Sequence, residues 1–132
     1  VLNIFKNKKY HIISTSRFLL SSSLEDWSLT RKLITYIRFF LVKFVLNTKL
    51  DSSGGFRCYD LKNIKKNHFK LAKNNNYFFL IESLFYFEKL KYKIFELPIV
   101  LKFRFNGKSK MRIRDVFLSL LGLFRLRILN KL

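Results

Sequence analysis

The 132-residue chain has few acidic residues, few glycines and prolines, and a single cysteine. Eight Asp and Glu stand against 27 Lys and Arg, which gives a net charge of +19. The lone Cys58 excludes a disulfide framework or a cysteine-based zinc site within one chain. Four Gly and one Pro exclude a collagen-like or low-complexity chain, and a hydrophobic content of 49% excludes a disordered basic tail. The length predicts one domain.

Long uninterrupted hydrophobic runs are also missing. The two most apolar stretches, 33–46 and 116–129, are interrupted by basic residues and fall short of the ~18 apolar residues of a membrane-spanning helix. Both are typical of helices that lie in a membrane interface, apolar on one side and basic on the other. The positive charge predicts an anionic partner. The candidates are RNA or DNA, an anionic membrane surface and phosphorylated small molecules.

Hydrophobic periodicity predicts an α/β fold. The β-branched segment His11–Ser14 predicts a strand, and apolar residues at i, i+3 and i+4 predict a helix over 27–47. Further predicted elements are a basic helix at 61–72, one or two strands over 93–103, and an amphipathic C-terminal helix at 114–129, within 112–132. Residues 77–90 are apolar nearly all round and form a buried helix or a strand, of which their length favours the helix. Pro98 predicts an edge position or a bulge for its strand.

Four loops place basic residues beside Ser, Thr or Gly. They are Ser16-Arg17, Thr30–Lys32, Gly55–Arg57 and Arg104–Lys110. Arg offers a planar fork and Lys a point charge to a phosphate, and Ser and backbone N–H groups complete such a site. The plain alternative is that each basic residue is a solvated surface charge. The loops indicate a phosphate site only if they converge in space.

Classical catalytic and metal motifs are not found in the sequence. His11 and His68 have no Cys, Asp or Glu at ligand spacing, so they predict no metal site. Phosphate-binding glycine loops and a nucleophile elbow are also missing. Isolated carboxylates along the chain make a pair of catalytic carboxylates hard to build.

Six short motifs follow one another along nearly the whole chain. Asp51–Tyr59 reads DSSGGFRCY and resembles the D-x-T/S-x-G-F-R-x-Y segment of the dolichol-phosphate mannosyltransferase family, which are family 2 glycosyltransferases that use polyprenyl phosphate. The other five resembling segments are Ile13–Phe18, Trp27–Ile34, Phe79–Glu82, Glu96–Ile99 and Arg104–Met111. The Gly-Phe-Arg and Gly-x-Ser-Lys motifs are the most specific of these.

The resemblance implies an incomplete GT-A-type domain, the C-terminal part of a Rossmann-like mixed sheet with flanking helices. Residues 1–132 would form part of a single catalytic domain. The nucleotide-binding part of the family, which ends in an Asp-x-Asp motif for a divalent metal, would precede Val1. Since a βαβ unit takes ~30 residues, on the order of 90 residues would be missing. We therefore expect this chain to be inactive alone and poorly soluble.

The resemblance also implies the roles of individual residues. Arg17 and Arg104 would be catalytic, with Ser16 and Arg17 near the donor pyrophosphate and Arg31 in the acceptor loop. Arg104, Ser109 and Lys110 would belong to a loop that closes over the phosphates. A structural turn would contain Asp51, Ser53, Gly55 and Arg57. The metal ligands, for Mg or Mn, would lie outside this chain.

The implied reaction moves a hexose, mannose or glucose, from a nucleotide diphosphate sugar to a polyprenyl or dolichyl phosphate. The attacking phosphate is already an anion at neutral pH because its second pKa is about 6. Few carboxylates are therefore needed, and cations must bring two anions together. This interpretation predicts a peripheral protein on the cytoplasmic face of an anionic membrane and no nucleic-acid partner. The alternative is a basic RNA-binding protein of the ribosomal type.

Overall fold

The computed structural model describes residues 3–5, 10–101 and 113–129, which form a mixed α/β structure. Within these residues the strands are β1 (Ile12–Ser16), β2 (Arg57–Tyr59) and β3 (Ile94–Pro98). They form one sheet in the order β2-β1-β3, in which β1 is antiparallel to β2 and parallel to β3. The α/β class predicted from the sequence is confirmed, and the sheet itself is small.

Strand β1 is the centre of the sheet, and all five of its residues are buried. Ser14 lies opposite Arg57 of β2 and Glu96 of β3. Residues paired directly across neighbouring strands project from the same face of the sheet. The register therefore places Arg57, Ser14 and Glu96 side by side across the three strands. Pro98 is the last residue of β3, at the edge of the described sheet, as predicted.

Among the described residues the long helices are α1 (Leu29–Leu46), α2 (Phe78–Lys89) and α3 (Ile113–Leu129), and a short 3-10 helix, Ser21–Leu24, precedes α1. The sequence predicted all three long helices, α1 and α3 from their amphipathic pattern and α2 from the length of its apolar run. The helix predicted at 61–72 is wrong, since only Lys66–Leu71 is helical and it forms a 3-10 helix. Asp60 accepts hydrogen bonds from the Lys62 backbone N–H and the Asn63 side chain. These bonds hold a turn, an alternative that competes with an α-helix.

The three helices meet in one hydrophobic core. Its buried members are Val42, Leu46, Phe78, Ile81, Phe85, Leu123 and Leu126. Gly122 allows α3 to approach α2, because a Cβ there would lie 2.7 Å from the Phe78 ring. A second cluster of Ile12, Ile64, Leu84 and Phe87 joins α2 to the sheet. Helix α2 is thus buried on both sides, which accounts for its nearly continuous apolar sequence.

Helices α1 and α3 expose most of their apolar side chains. The exposed residues are Leu33, Ile34, Ile37, Phe40 and Phe44 of α1 and Phe117, Leu121, Phe124 and Ile128 of α3. The buried residues of α1 are instead Thr35, Val42 and Leu46. In the described part of the chain, each helix is too short or too polar to cross a bilayer.

Candidate polar site at the carboxyl edge of the sheet

Three chain segments meet where the parallel strands β1 and β3 end. Ser16 ends β1, Pro98 ends β3, and the turn 51–56 leads into the antiparallel strand β2 at the same edge. The Ile99 backbone N–H donates to the Ser16 carbonyl oxygen at 3.1 Å, which extends the pairing beyond the strands. The carboxyl edge of parallel strands is the usual place for ligands in α/β proteins.

A buried ion pair between Arg17 and Asp51 forms the centre of this edge. Arg17 Nε donates to Asp51 Oδ2 and Nη2 donates to Oδ1, both at 3.2 Å. The Arg17 backbone N–H adds a third bond to Oδ2 at 3.1 Å. The exposed fractions of the two side chains are 11% and 1%. Such a two-point contact holds the guanidinium in one orientation.

Ser53 completes the pair from the turn that follows Asp51. Its hydroxyl donates to Asp51 Oδ1 at 2.6 Å and also accepts from Arg17 Nη2. Burial by itself would raise the pKa of Asp51, but the hydrogen bond and charge of Arg17, with the Ser53 hydroxyl, lower it below its ordinary value. Asp51 is therefore ionised at neutral pH, and both of its carboxylate oxygens are occupied.

Glu96 is a second carboxylate at this edge. Its Oε1 accepts the Asp51 backbone N–H at 2.7 Å. Burial raises the pKa of Glu96, and the nearby charges of Asp51 and Glu88 add to this rise. Glu96 thus joins β3 to the turn while its own charge is disfavoured. Glu96 begins one of the six resembling segments, but no site role was predicted for it from the sequence.

Arg57 fastens the same turn to helix α2. Its Nη1 donates to Ser83 Oγ at 2.9 Å, and its Nη2 donates to the carbonyl oxygens of Ser52 at 2.7 Å and Leu80 at 2.6 Å. Burial lowers the pKa of Arg57, but an arginine guanidinium stays charged in proteins. These contacts fit the structural role that the family resemblance implies.

The two glycines of the turn differ in their surroundings. A Cβ added to Gly54 would lie 2.2 Å from the carbonyl oxygen of Thr15, whereas one added to Gly55 would meet nothing within 4 Å. Gly54 is therefore required for the turn to pack on β1, and Gly55 is not. The sequence interpretation named Gly55 in the structural turn, and the close approach occurs at its neighbour.

Arg31 lies in a different group of contacts, in the first turn of α1. Its guanidinium stacks on the Trp27 ring at 3.7 Å from the centroid. Trp27 Nε1 donates to the Leu101 carbonyl oxygen at 3.2 Å, and the Leu101 N–H donates to the Ser23 carbonyl oxygen at 3.1 Å. The segment before α1 is thereby joined to Leu101, three residues before Arg104 in the sequence.

The predicted site residues are thus only partly brought together. Ser16, Arg17, Asp51 and Ser53 are adjacent at the sheet edge, and Arg31 is exposed beside Trp27. Arg104, Ser109 and Lys110 lie outside the described residues.

Arg38 of α1 was missed by the sequence interpretation. It borders a narrow crevice together with Asp51, Ser52 and Ser53. Burial lowers the pKa of Arg38, and the neighbouring Arg17 lowers it further. Its spacing from the buried residues Thr35 and Val42 is the signal that could have placed it on the inner face of α1.

The divalent metal that the family resemblance implies finds no fitting ligand set among the described residues. No group of three His, Cys, Asp or Glu side chains lies close enough to hold a metal ion there. Asp51 and Glu96 are close to each other, but Asp51 is held by Arg17 and Ser53. We therefore assign no chemical step to a metal in this part of the molecule.

Comparison with known proteins gives no further assignment. No protein-family model matches the chain, and no solved structure matches it. A function for this chain must therefore be argued from its residues and their geometry.

Proposed function

We propose that this chain takes part in moving a hexose, mannose or glucose, from a nucleotide diphosphate sugar to a polyprenyl phosphate. The observation that carries the proposal is the meeting of three of the six family-like segments at the sheet edge. Arg17 contacts Asp51 across 34 residues of chain, and Asp51 contacts Glu96 across 45. The fold therefore brings residues of three separate motifs into one group of contacts, which supports interpreting them as parts of one site.

A second group of contacts supports an acceptor phosphate near Arg31. This residue is exposed, in the first turn of an 18-residue helix, where the helix dipole favours a negative charge. Stacking on Trp27 holds its guanidinium in place without a carboxylate partner among the described residues. The Trp27–Leu101 bond attaches the chain before the predicted phosphate loop to the same place.

Arg17 and Arg31 differ in their availability to a phosphate. Arg31 is open to solvent, whereas Arg17 is held by Asp51 and Ser53. Asp51 and Ser53 already engage the Nε and Nη2 donors of Arg17, so a phosphate would compete with them for these donors. In our proposal Arg31 binds the acceptor phosphate together with Arg104, Ser109 and Lys110. In the described structure Arg17 holds the turn that contains Asp51 and Ser53. Its catalytic role stays a prediction.

The chemistry needs cations more than a general base. A phosphate oxygen of the lipid attacks the anomeric carbon of the sugar, and the bond from that carbon to the donor diphosphate breaks. The nucleoside diphosphate leaves with the bonding electron pair. Because the lipid phosphate is already an anion, Arg and Lys act by bringing the reactants together and offsetting negative charge.

The exposed faces of α1 and α3 support a membrane as the place of this reaction. Each carries apolar side chains, such as Phe44 and Phe124, beside basic residues such as Lys43 and Arg125. Burying apolar area contributes about 25 cal/mol per Å², and each basic residue near an anionic surface contributes about 1 kcal/mol. In our proposal these faces hold the protein at the cytoplasmic surface of an anionic membrane, next to the lipid-bound acceptor.

Trp27 provides a direct test because it is the single tryptophan of the chain. Titration with farnesyl phosphate, a short polyprenyl phosphate, should change its fluorescence to saturation, whereas farnesol should not. Loss of a charged hydrogen bond costs about 1.5–3 kcal/mol, so Arg31→Gln should weaken binding roughly tenfold or more. Lys62→Gln, the same charge change at an exposed residue outside α1, is the matched control.

A fluorescence response equal for farnesyl phosphate and farnesol would contradict a phosphate site at Arg31. An Arg31→Gln variant that binds like the unaltered chain would contradict it as well. Tight binding to RNA with a steep dependence on salt, without a response to farnesyl phosphate, would favour the RNA-binding alternative.

A further inference from the structure

A cavity of about 240 Å³ lies at the opposite end of α1 from Arg31. The C-terminal ends of α1, α2 and α3 form its walls, with Leu46 and Phe85 as its apolar part. It shares no lining residue with the Arg17–Asp51 pair. A volume below the roughly 300–1,000 Å³ of pockets for drug-sized ligands indicates a small ligand or a small part of a larger one.

The charged lining of this cavity is mostly cationic. It contains Lys89, Lys91 and Arg127 against one acidic residue, Glu88, so its net charge is 3 − 1 = +2. Glu88 accepts a hydrogen bond from the Thr48 hydroxyl. Among the described residues, none of the three cations has a carboxylate within salt-bridge distance. The C-terminal ends of the three helices each add a partial negative charge of roughly −0.5. This offsets most of the +2 of the side chains but leaves the lining net positive, so an anion is the ligand that it attracts.

Lys91 is an unusual residue for its backbone position. Its φ is 62°, in the left-handed region, and its N–H donates to the Glu88 carbonyl oxygen just past the end of α2. Glycine is the usual residue at such a helix end because it has no Cβ to crowd the backbone. Attraction to helix C-termini accounts for Lys89 and Arg127 in the last turns. It gives no reason for a lysine at a position that suits glycine.

The cavity opens at the end of the exposed apolar faces of α1 and α3. Asn47 of its lining follows the exposed Phe44 by three residues, and Arg127 follows the exposed Phe124 by three. Residues three apart on a helix lie on the same face, one turn from each other, which places Arg127 next to Phe124 on α3. Asn47 is the left-handed residue at which α1 ends, three residues beyond Phe44. A lipid whose chains contact Phe44 and Phe124 would therefore have its headgroup within reach of the cavity.

We propose that this cavity binds a phosphate group, and that the phosphate belongs to an anionic lipid seated against α1 and α3. The three cations neutralise the phosphate. Lys91 occupies a left-handed backbone position that is strained for a lysine, and in our proposal its charge is needed there for the phosphate. This site goes beyond the proposed sugar transfer, because it needs neither the donor nor the acceptor of that reaction.

The test compares Lys91→Gly with the unaltered chain. Glycine removes the cation and relieves the left-handed backbone, so the variant should unfold at a higher denaturant concentration. Its binding to phosphatidylcholine vesicles that contain phosphatidic acid should nevertheless fall roughly tenfold, the effect of one lost charged hydrogen bond. Arg127→Gln should act in the same direction. Lys62→Gln, an exposed lysine that does not line the cavity, should leave binding nearly unchanged.

Amide chemical shifts separate the two sources of phosphate. Saturable shifts at residues 46–47, 88–91 and 127 with inorganic phosphate alone would support the phosphate site and show that free phosphate enters it. Shifts at these residues only with phosphatidic acid would support the site and its lipid source. Lys91→Gly binding to the vesicles as tightly as the unaltered chain, or shifts that avoid these residues, would overturn the proposal even if the farnesyl phosphate test succeeds.

Discussion

The carboxyl edge of the sheet and the outer faces of α1 and α3 reverse the usual distribution of side chains. At the sheet edge, charged groups such as Arg17, Asp51 and Arg57 are enclosed and hydrogen bonded. On the two helices, large apolar side chains such as Phe44 are open to solvent. Interiors normally hold the apolar groups, and a large exposed apolar area normally marks an interaction surface.

Several of the eight acidic residues of the chain lie inside the molecule or partly so. Asp51 and Glu82 are buried, and Glu96 is partly buried. Each is engaged by partners inside the molecule, Glu82 by the backbone N–H and side chain of Asn74. With these carboxylates used inside, the surface loses much of the negative charge that could balance its Lys and Arg. The outer faces of α1 and α3 therefore remain both apolar and basic.

Asp51→Asn should have the largest effect on stability, because it leaves Arg17 buried without a counter-charge. Removing one partner of a buried pair costs about 3 kcal/mol or more. Chemical denaturation measures the loss. Asp26→Asn, the same change at an exposed position, is the control and should unfold like the unaltered chain. Equal stability of the two variants would mean that the ion pair does not hold the sheet edge together.

Gly54→Ala should have the next largest effect. The new Cβ would meet the Thr15 carbonyl oxygen at 2.2 Å, so the turn must move from β1 at a cost of about 1–3 kcal/mol. Gly55→Ala makes the same change one residue later with nothing within 4 Å. It should change the free energy of unfolding by less than about 0.5 kcal/mol. A Gly54→Ala variant as stable as Gly55→Ala would contradict the close packing of the turn.

Glu96→Gln should give a smaller effect that depends on pH. The raised pKa of Glu96 means that its stabilising contribution is present below the unfolded pKa of about 4.3, and is lost as the pH rises through the folded value. Glutamine removes the disfavoured charge and keeps an oxygen for the Asp51 N–H. The variant should therefore be more stable than the unaltered chain at pH 7, with the difference shrinking near pH 4. A loss of stability at pH 7 would contradict this sign.

Asp51 should show the opposite dependence on pH. Its lowered pKa gives a contribution that is present above the unfolded pKa of about 3.9, and is lost as the pH falls through the folded value. The free energy of unfolding should accordingly fall less with decreasing pH in Asp51→Asn than in the unaltered chain. Parallel acid-unfolding curves for the two proteins would show that the ion pair does not control stability in acid.

The sequence was informative where local pattern decides the structure. The amphipathic pattern predicted α1 and α3, the length of a nearly continuous apolar run predicted α2, and the β-branched residues before Ser14 predicted β1. Strand β2 was missed because three residues carry no periodic signal, and its existence depends on pairing with β1. The predicted helix at 61–72 failed because the hydrogen bonds of Asp60 favour a turn.

The partners of the candidate site were harder to predict than its members. The motifs identified Arg17 and Asp51 as candidate site residues, but the sequence could not show that the two would form a salt bridge with each other. The inner face of α1 was also hidden. Its outward residues form the larger apolar stripe, while Arg38 lies on the packed side with Val42. Periodicity finds a stripe and does not say whether a core, a partner or a lipid covers it.

The most direct test of this account is vesicle binding by two matched double variants. Ile37→Gln with Phe44→Gln alters the outer face of α1, where these side chains are 58% and 88% exposed. Leu61→Gln with Tyr77→Gln alters side chains that are 65% and 50% exposed but lie on neither α1 nor α3. We predict that the first variant keeps its unfolding free energy within about 1 kcal/mol and loses at least roughly tenfold in affinity for anionic vesicles, while the second binds like the unaltered chain. Equal binding by both variants, or a loss equal in both, would contradict the assignment of the α1 and α3 faces to a membrane.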